Sequence, residues 1–272
     1  LRSGMLAQGA KTEEFEKVFA SYCKTKYAIA FSSGTAAIHA ALHAFGIGPG
    51  DEVVTTPFTF VATANPILME GGTVVFADIS EEDYCIDPEE VENKITQKTK
   101  AVIPVDLYGQ IYNVEKIMGL AKNHNVKIME DACQAIGADH NGVKAGNFGD
   151  IATFSLYATK NIITGEGGMA VTNNKDYDLS CRRFRHHGQD QEKRYEYTDL
   201  GYNYRMTDIT AAIGLEQMKK VDSLNEQRMK NAAELSNGLS DIQELMLPFP
   251  REGNTHVYHQ YTIRVPGKGK KD

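Results

Sequence analysis

From Thr12 onward the apolar residues Phe15, Val18, Phe19 and Tyr22 recur at helical spacing, with acids in the first turn and Thr12 as the expected cap. A short apolar run, Tyr27 to Phe31, leads through the turn Ser32-Ser-Gly-Thr35 into an alanine-rich helical stretch ending at Phe45. Gly46-Ile-Gly-Pro-Gly-Asp51 breaks that stretch. The cycle then returns: Glu52 to Thr56, a helix near Phe60 to Glu70, and further apolar runs at Thr73 to Ala77, Ala101 to Val105 and Val126 to Met129. Such alternation predicts an α/β fold, a mainly parallel sheet with helices on both faces. Ligands of these sheets bind at the carboxyl ends of the strands, where Ser32 to Thr35, Phe60 and Asp131 all fall.

Beyond residue 150, Asp150 to Ser155 and Gly168 to Thr172 read as a hairpin. The chain is then strongly helical from Thr207 to about Leu239, a long connector toward a smaller lobe. The expected division is a large domain over residues 1–244 and the start of a small C-terminal domain over 245–272, with Tyr261 to Val265 as one strand. Because the chain begins with Leu1 and stops soon after that strand, both ends are expected to be incomplete.

The composition narrows the possible partners. Thirty-six acids against 29 bases give a formal charge of −7, which offers no basic excess to neutralise a phosphate backbone, so nucleic acid is not expected as a partner. No stretch approaches the roughly 18 apolar residues of a membrane span. The cysteines at 23, 85, 133 and 181 are far apart and form no Cys-x-x-Cys pair. They signal neither a zinc cluster nor a disulfide framework, and they fit a reducing cytoplasm.

Lys160, in Ser155-Leu-Tyr-Ala-Thr-Lys160, precedes the glycine-rich Gly165-Glu-Gly-Gly168; Glu130-Asp131-Ala-Cys-Gln134 ends an apolar run. Glycines after a lysine let backbone approach a bulky group joined to its amine, and a carboxylate at a strand end can hold a pyridine nitrogen protonated. The pairing reads as a pyridoxal 5'-phosphate site. Ser33-Gly34-Thr35 opens a helix after a strand, where free N–H groups suit a phosphate, although a simple cap needs the same residues. Asp131 needs a cationic partner, either a pyridinium or an ordinary basic side chain. Gln134 could reach the same ligand or satisfy backbone. Gly46-x-Gly-x-Gly50 follows a helix and is a turn, not a dinucleotide fingerprint.

Two histidine groups are weaker signals. His256-x-x-His259 has a metal-site spacing, but in an extended segment its members point to opposite faces. His186-His187-Gly188 ends the basic stretch Arg182-Arg-Phe-Arg185, which either meets an anionic substrate or lines a helix C-terminus.

Together these residues resemble the DegT/DnrJ/EryC1/StrS family of sugar aminotransferases, fold-type-I pyridoxal phosphate enzymes. The resemblance runs from Leu1 to about Val265. It is carried by Leu1-Arg-Ser-Gly with Gln8-Gly9, Ser33-Gly-Thr35, Thr59-Phe-Val-Ala-Thr63, Glu130-Asp-Ala-Cys-Gln-Ala135, Ser155 to Lys160 and Gly201 to Asp208. It implies that Lys160 holds the cofactor covalently, Asp131 pairs with the pyridine nitrogen, Phe60 stacks on the ring and Gln134 sits near its hydroxyl. Gly34, Thr35 and Ser155 would take the phosphate, with Asn203 reaching it from the neighbouring subunit of a homodimer. The implied reaction moves an amine, usually from L-glutamate, to a keto group of a nucleotide-linked deoxysugar for polysaccharide precursors. A dehydratase is the alternative, but resembling dehydratases replace the lysine by histidine; a cofactor-binding regulator is another. Asp106 stands where relatives often carry histidine. Gly188 to Leu200 is a candidate substrate loop, or an exposed connector.

Overall fold

The computed structural model describes residue 4, residues 6–190, residue 193 and residues 195–267; Leu1 to Ser3 of the first motif and the tail from Lys268 lie outside them. In chain order the elements are α1 (Ala10–Cys23), β1 (Tyr27–Phe31), α2 (Gly34–Ala44), β2 (Glu52–Thr55), α3 (Asn65–Met69), β3 (Thr73–Phe76), α4 (Pro88–Lys94), β4 (Thr99–Ile103), α5 (Val114–His124) and β5 (Lys127–Asp131). There follow β6 (Asp139–His140), β7 (Val143–Lys144), β8 (Ile151–Ser155), β9 (Gly168–Thr172), α6 (Lys175–Arg185), α7 (Asp208–Met218), α8 (Val221–Leu239) and β10 (Asn254–Thr255).

A seven-stranded sheet runs in the order β1-β9-β8-β5-β4-β2-β3. Only β9 is reversed, pairing antiparallel with β1 and β8, so the expected hairpin of β8 and β9 is present and the sheet is mainly parallel. Its strands feed two cores. Ile29, Phe31, Val53, Ile103, Met129 and Ile151 face α2 and α6, while Ala28, Ala30, Val54, Val102, Ile128 and Phe154 alternate onto the face with α1 and α5. Both faces of these strands are therefore buried, which is why they read as unbroken apolar runs.

Several local expectations are corrected. α1 begins at Ala10, and Thr12 is no cap: the carboxylate of Asp208 takes the N–H groups of Gly9, Lys11 and Thr12 and the Thr12 hydroxyl at 2.8–3.2 Å. The stretch after Thr207 is two helices, because the chain leaves helical hydrogen bonding at Lys219–Lys220. The helix expected near Phe60 reduces to a single 3-10 turn, Val61–Thr63, and the short α3. Tyr261 to Val265 forms only an isolated bridge between Arg264 and Met246. Residues 254–255 instead add to a small sheet with β6 and β7.

Two of the arginines before His186, Arg182 and Arg185, are structural. Glu16 of α1 accepts from Arg182 at 2.7 Å and Arg185 at 2.5 Å, and the two guanidinium groups also reach the carbonyls of Ala28 and Ala30 on the edge strand β1. Burial opposes charge on Glu16, yet the two arginines outweigh it and hold its carboxyl below the ordinary value. All four cysteines are free thiols. Among the described residues no helix is long and apolar enough to cross a membrane.

Candidate active site

The carboxyl ends of β1, β2, β4, β5 and β8 open on one side of the sheet around a cavity of about 700 Å³. Of the residues expected to act there, Gly34, Thr35, Phe60, Asp131, Gln134, Ser155 and Lys160 all line it. Asn203 does not; it is exposed and bridged to His186.

Asp131 ends β5 and is 3% exposed. Its backbone is fixed by β4's continuation, with its N–H donating to Pro104 and its carbonyl accepting from Asp106. Its carboxylate accepts from the Thr63 hydroxyl at 2.8 Å and from the Cys133 N–H at 3.2 Å. Thr63 is itself 3.0 Å from Thr59, so two hydroxyls of the motif Thr59 to Thr63 aim one carboxylate. These donors are neutral, and among the described residues no ion pair joins Asp131 to Lys160 or to any other base. A buried carboxylate in that position needs a cation, and no ion pair among the described residues supplies one.

At the other side of the cavity Ser33 caps α2, its hydroxyl accepting from the Ala36 N–H at 3.1 Å. The N–H groups of Gly34 and Thr35 point along the helix axis without intrahelical acceptors, beside Ser155. Within the glycine-rich run after Lys160, Gly168 has a packing role. A Cβ on Gly168 would lie 2.2 Å from the Ser33 carbonyl oxygen, so the glycine seats β9 against the capping turn. Gln134 lines the cavity, and its Oε1 accepts from the Tyr108 N–H at 2.8 Å, so it satisfies backbone there.

Behind Asp131 lies a second pair of acids, both fully buried: Glu130 and Asp106. The oxygens of Glu130 accept from the N–H groups of Gly146 (2.7 Å) and Phe148 (2.9 Å). Asp106 accepts from Tyr112 N–H through Oδ1, while Oδ2 has no other partner. A proton on that oxygen, given to Glu130, satisfies both groups. Burial raises both: Glu130 to about 7, and Asp106 well above the usual range with the Glu130 charge adding to the effect. Asp106 thus lies outside the cavity lining and meets the site through its backbone bond to Asp131 and the charge of that carboxylate.

The remaining histidines separate. His256 is buried, stacked at 4.0 Å on Tyr258, whose N–H it accepts. His259 lines the cavity. No metal-ligating group of three or more side chains occurs among the described residues. Sequence reasoning missed Thr63 as the orienting donor, although it sits inside a motif already singled out, and it missed His259 as a cavity residue, having weighed it only as a metal ligand. Parts of the Gly188 to Leu200 segment, residues 191, 192 and 194, lie outside the described residues.

The family model for the DegT/DnrJ/EryC1/StrS aminotransferases matches residues 1–272. The chain is 43% identical over 269 residues to a pleiotropic regulatory protein of Geobacillus stearothermophilus, covering 98% of this chain and 72% of that protein. It is 43% identical over 257 residues to GDP-perosamine synthase of Caulobacter vibrioides, covering 94% of this chain and 69% of that one. Among solved structures, S. venezuelae DesV in complex with a ketimine intermediate superposes with a TM-score of 0.94 at 34% identity, over 98% of this chain and 72% of DesV. With that match in sequence and fold, and with the motif residues gathered at one cavity, the chain belongs to the DegT/DnrJ/EryC1/StrS aminotransferase family.

Proposed function

We propose that this chain is a pyridoxal 5'-phosphate-dependent sugar aminotransferase, moving an amino group from L-glutamate to the keto group of a nucleotide-linked deoxysugar. The observation that carries the reading is the arrangement of Asp131, Lys160 and the N-terminus of α2 around one cavity, with Asp131 buried and lacking a cation. The residues fit the cofactor. A ring cation answers the uncompensated Asp131, the free N–H groups of Gly34 and Thr35 with Ser155 suit the phosphate, and Phe60, 72% exposed, offers an aromatic face. Lys160 would hold the group covalently, and Gln134 would lie beside its hydroxyl.

When bound, the cofactor supplies an electron sink for the carbanion formed at the donor's α-carbon. The chain's part is to move protons and hold charge. Asp131, aimed by Thr63 and the Cys133 N–H, keeps the ring nitrogen protonated. Lys160, once its amine is free, takes the proton from the donor's α-carbon as a general base. The α2 N-terminus would hold the anionic end of the group in the cavity that Lys160 also lines.

GDP-perosamine synthases and a spore coat polysaccharide biosynthesis protein among the relatives support a glycan-precursor role. The presence of lysine rather than histidine at 160 favours amino transfer over dehydration. The same reading includes a cytoplasmic homodimer in which Asn203 reaches the neighbour's phosphate, with residues 1–244 as the cofactor domain and 245–272 as the start of a second lobe. The test is the visible absorbance of protein loaded with pyridoxal phosphate. Wild type is expected to absorb and to change on adding L-glutamate. Lys160→Ala should lose the band and at least about a thousandfold of turnover. A Lys160→Ala protein with the wild-type band and rate overturns the assignment.

A further inference from the structure

His259 enters the cavity from the last described segment, and the segment is clamped there. The Val257 N–H donates to the Gly109 carbonyl at 2.9 Å, the Gln260 N–H reaches the Tyr108 carbonyl, and Arg228 donates to the carbonyls of Tyr258 and His259. Gly109 is required for this fit: its φ is +104°, and a Cβ there would stand 2.9 Å from the His259 nitrogen. The imidazole is thus brought to the same cavity as Lys160 by backbone contacts on both flanks.

The ring's hydrogen-bond accounting assigns its tautomer. Nδ1 is buried and has no partner. A buried N–H without an acceptor is costlier than a buried lone pair without a donor, so Nδ1 is left as the lone pair and the hydrogen sits on Nε2. Burial, then the charges of Lys160 and Arg228, lower its pKa to about 4, so the ring is neutral in the physiological range. A neutral donor in a cavity that already has a helix N-terminus for anions is matched to an uncharged oxygen.

We propose that His259 is a specificity-determining residue that donates Nε2–H to an oxygen of the sugar ring carried by the nucleotide substrate, rather than to its phosphates. This rests on the nucleotide-sugar reading above. A sugar oxygen that accepts from Nε2 pairs that donor, while a bare nucleoside diphosphate leaves it unpaired.

The experiment measures, by calorimetry on the cofactor-loaded chain, the affinities of UDP-glucose, dTDP-glucose and GDP-mannose, each against its own nucleoside diphosphate. At least one sugar nucleotide is expected to bind more tightly than its diphosphate. His259→Phe should weaken that sugar nucleotide about tenfold and leave the diphosphate unchanged, and His259→Gln, which keeps a neutral N–H, should recover most of the loss. If no sugar nucleotide exceeds its diphosphate in wild type, the nucleotide-sugar reading fails and the proposal with it. Equal weakening of both ligands, or none, overturns the proposal alone. Nitrogen NMR of the wild-type ring supplies the check that no variant can confound: an Nε2–H tautomer whose resonance moves with the sugar nucleotide and not the diphosphate supports it, and an Nδ1–H tautomer overturns it.

Discussion

At the scale of single residues the site depends on where protons are held out of water. The carboxylate of Asp131 meets hydroxyl and amide donors, while its neighbour Glu130 on the same strand and Asp106 after β4 are fully buried, which raises both. Asp106 does not line the ligand cavity; its side chain lies beside Glu130 and its backbone N–H holds the Asp131 carbonyl. Burial lifts Glu130 from the ordinary 4.5 to about 7, so between those values the folded chain holds a proton that the unfolded chain has released. Stability from this group is complete below the lower value and is lost as pH rises through the upper one, a loss of order 3 kcal/mol. Asp106→Asn leaves a permanent N–H donor facing Glu130, which favours its charged form. The wild-type urea midpoint should fall between about pH 5 and pH 8, and the Asp106→Asn midpoint should fall much less. Parallel curves for the two proteins would show that the pair holds no proton.

At the scale of elements, long-range polar contacts decide details that periodicity could not. The alternating runs were legible because each strand buries both faces, and Ser33, Asp131 and Lys160 were legible because their chemistry needs strand ends and turns. The start of α1 was not legible, since its cap, Asp208, comes from the far side of the sequence. The basic stretch of α6 does fall in the last turn of its helix, the plainer of the two readings, but its acidic partner Glu16 lies on α1, and sequence spacing holds no trace of that contact. Arg185→Met separates the two roles offered by the sequence. Removing it leaves the buried Glu16 with Arg182 alone, so the chain should lose about 3 kcal/mol in urea unfolding while pyridoxal phosphate affinity stays within about twofold. Unchanged stability with weakened binding would return this arginine to the site.

At the scale of the molecule, an apolar stretch that begins at the cavity-lining Phe60 is open to solvent. Phe60, Val61, Leu68 and Met69, on consecutive turns after β2, are 52–72% exposed, and Leu200 is 67% exposed. A stretch of this kind is expensive to leave in water and is the face we assign to the homodimer. Asn203 belongs to the same argument, because it is exposed and does not line its own cavity, and a role at the phosphate then requires a second copy. Complementation tests that geometry directly. Asn203→Ala and Lys160→Ala are each expected to lose amino transfer, but mixed dimers contain one site with both native residues. After co-refolding of equal amounts, activity should return to about a quarter of wild type, since half the dimers are mixed and each carries one intact site of two. Because the two variants fail in different copies of the site, only an active site shared across the interface regains activity on mixing. If Asn203 acted within its own chain, every site in the mixture would still carry one defect, and activity would stay at the level of the separate variants.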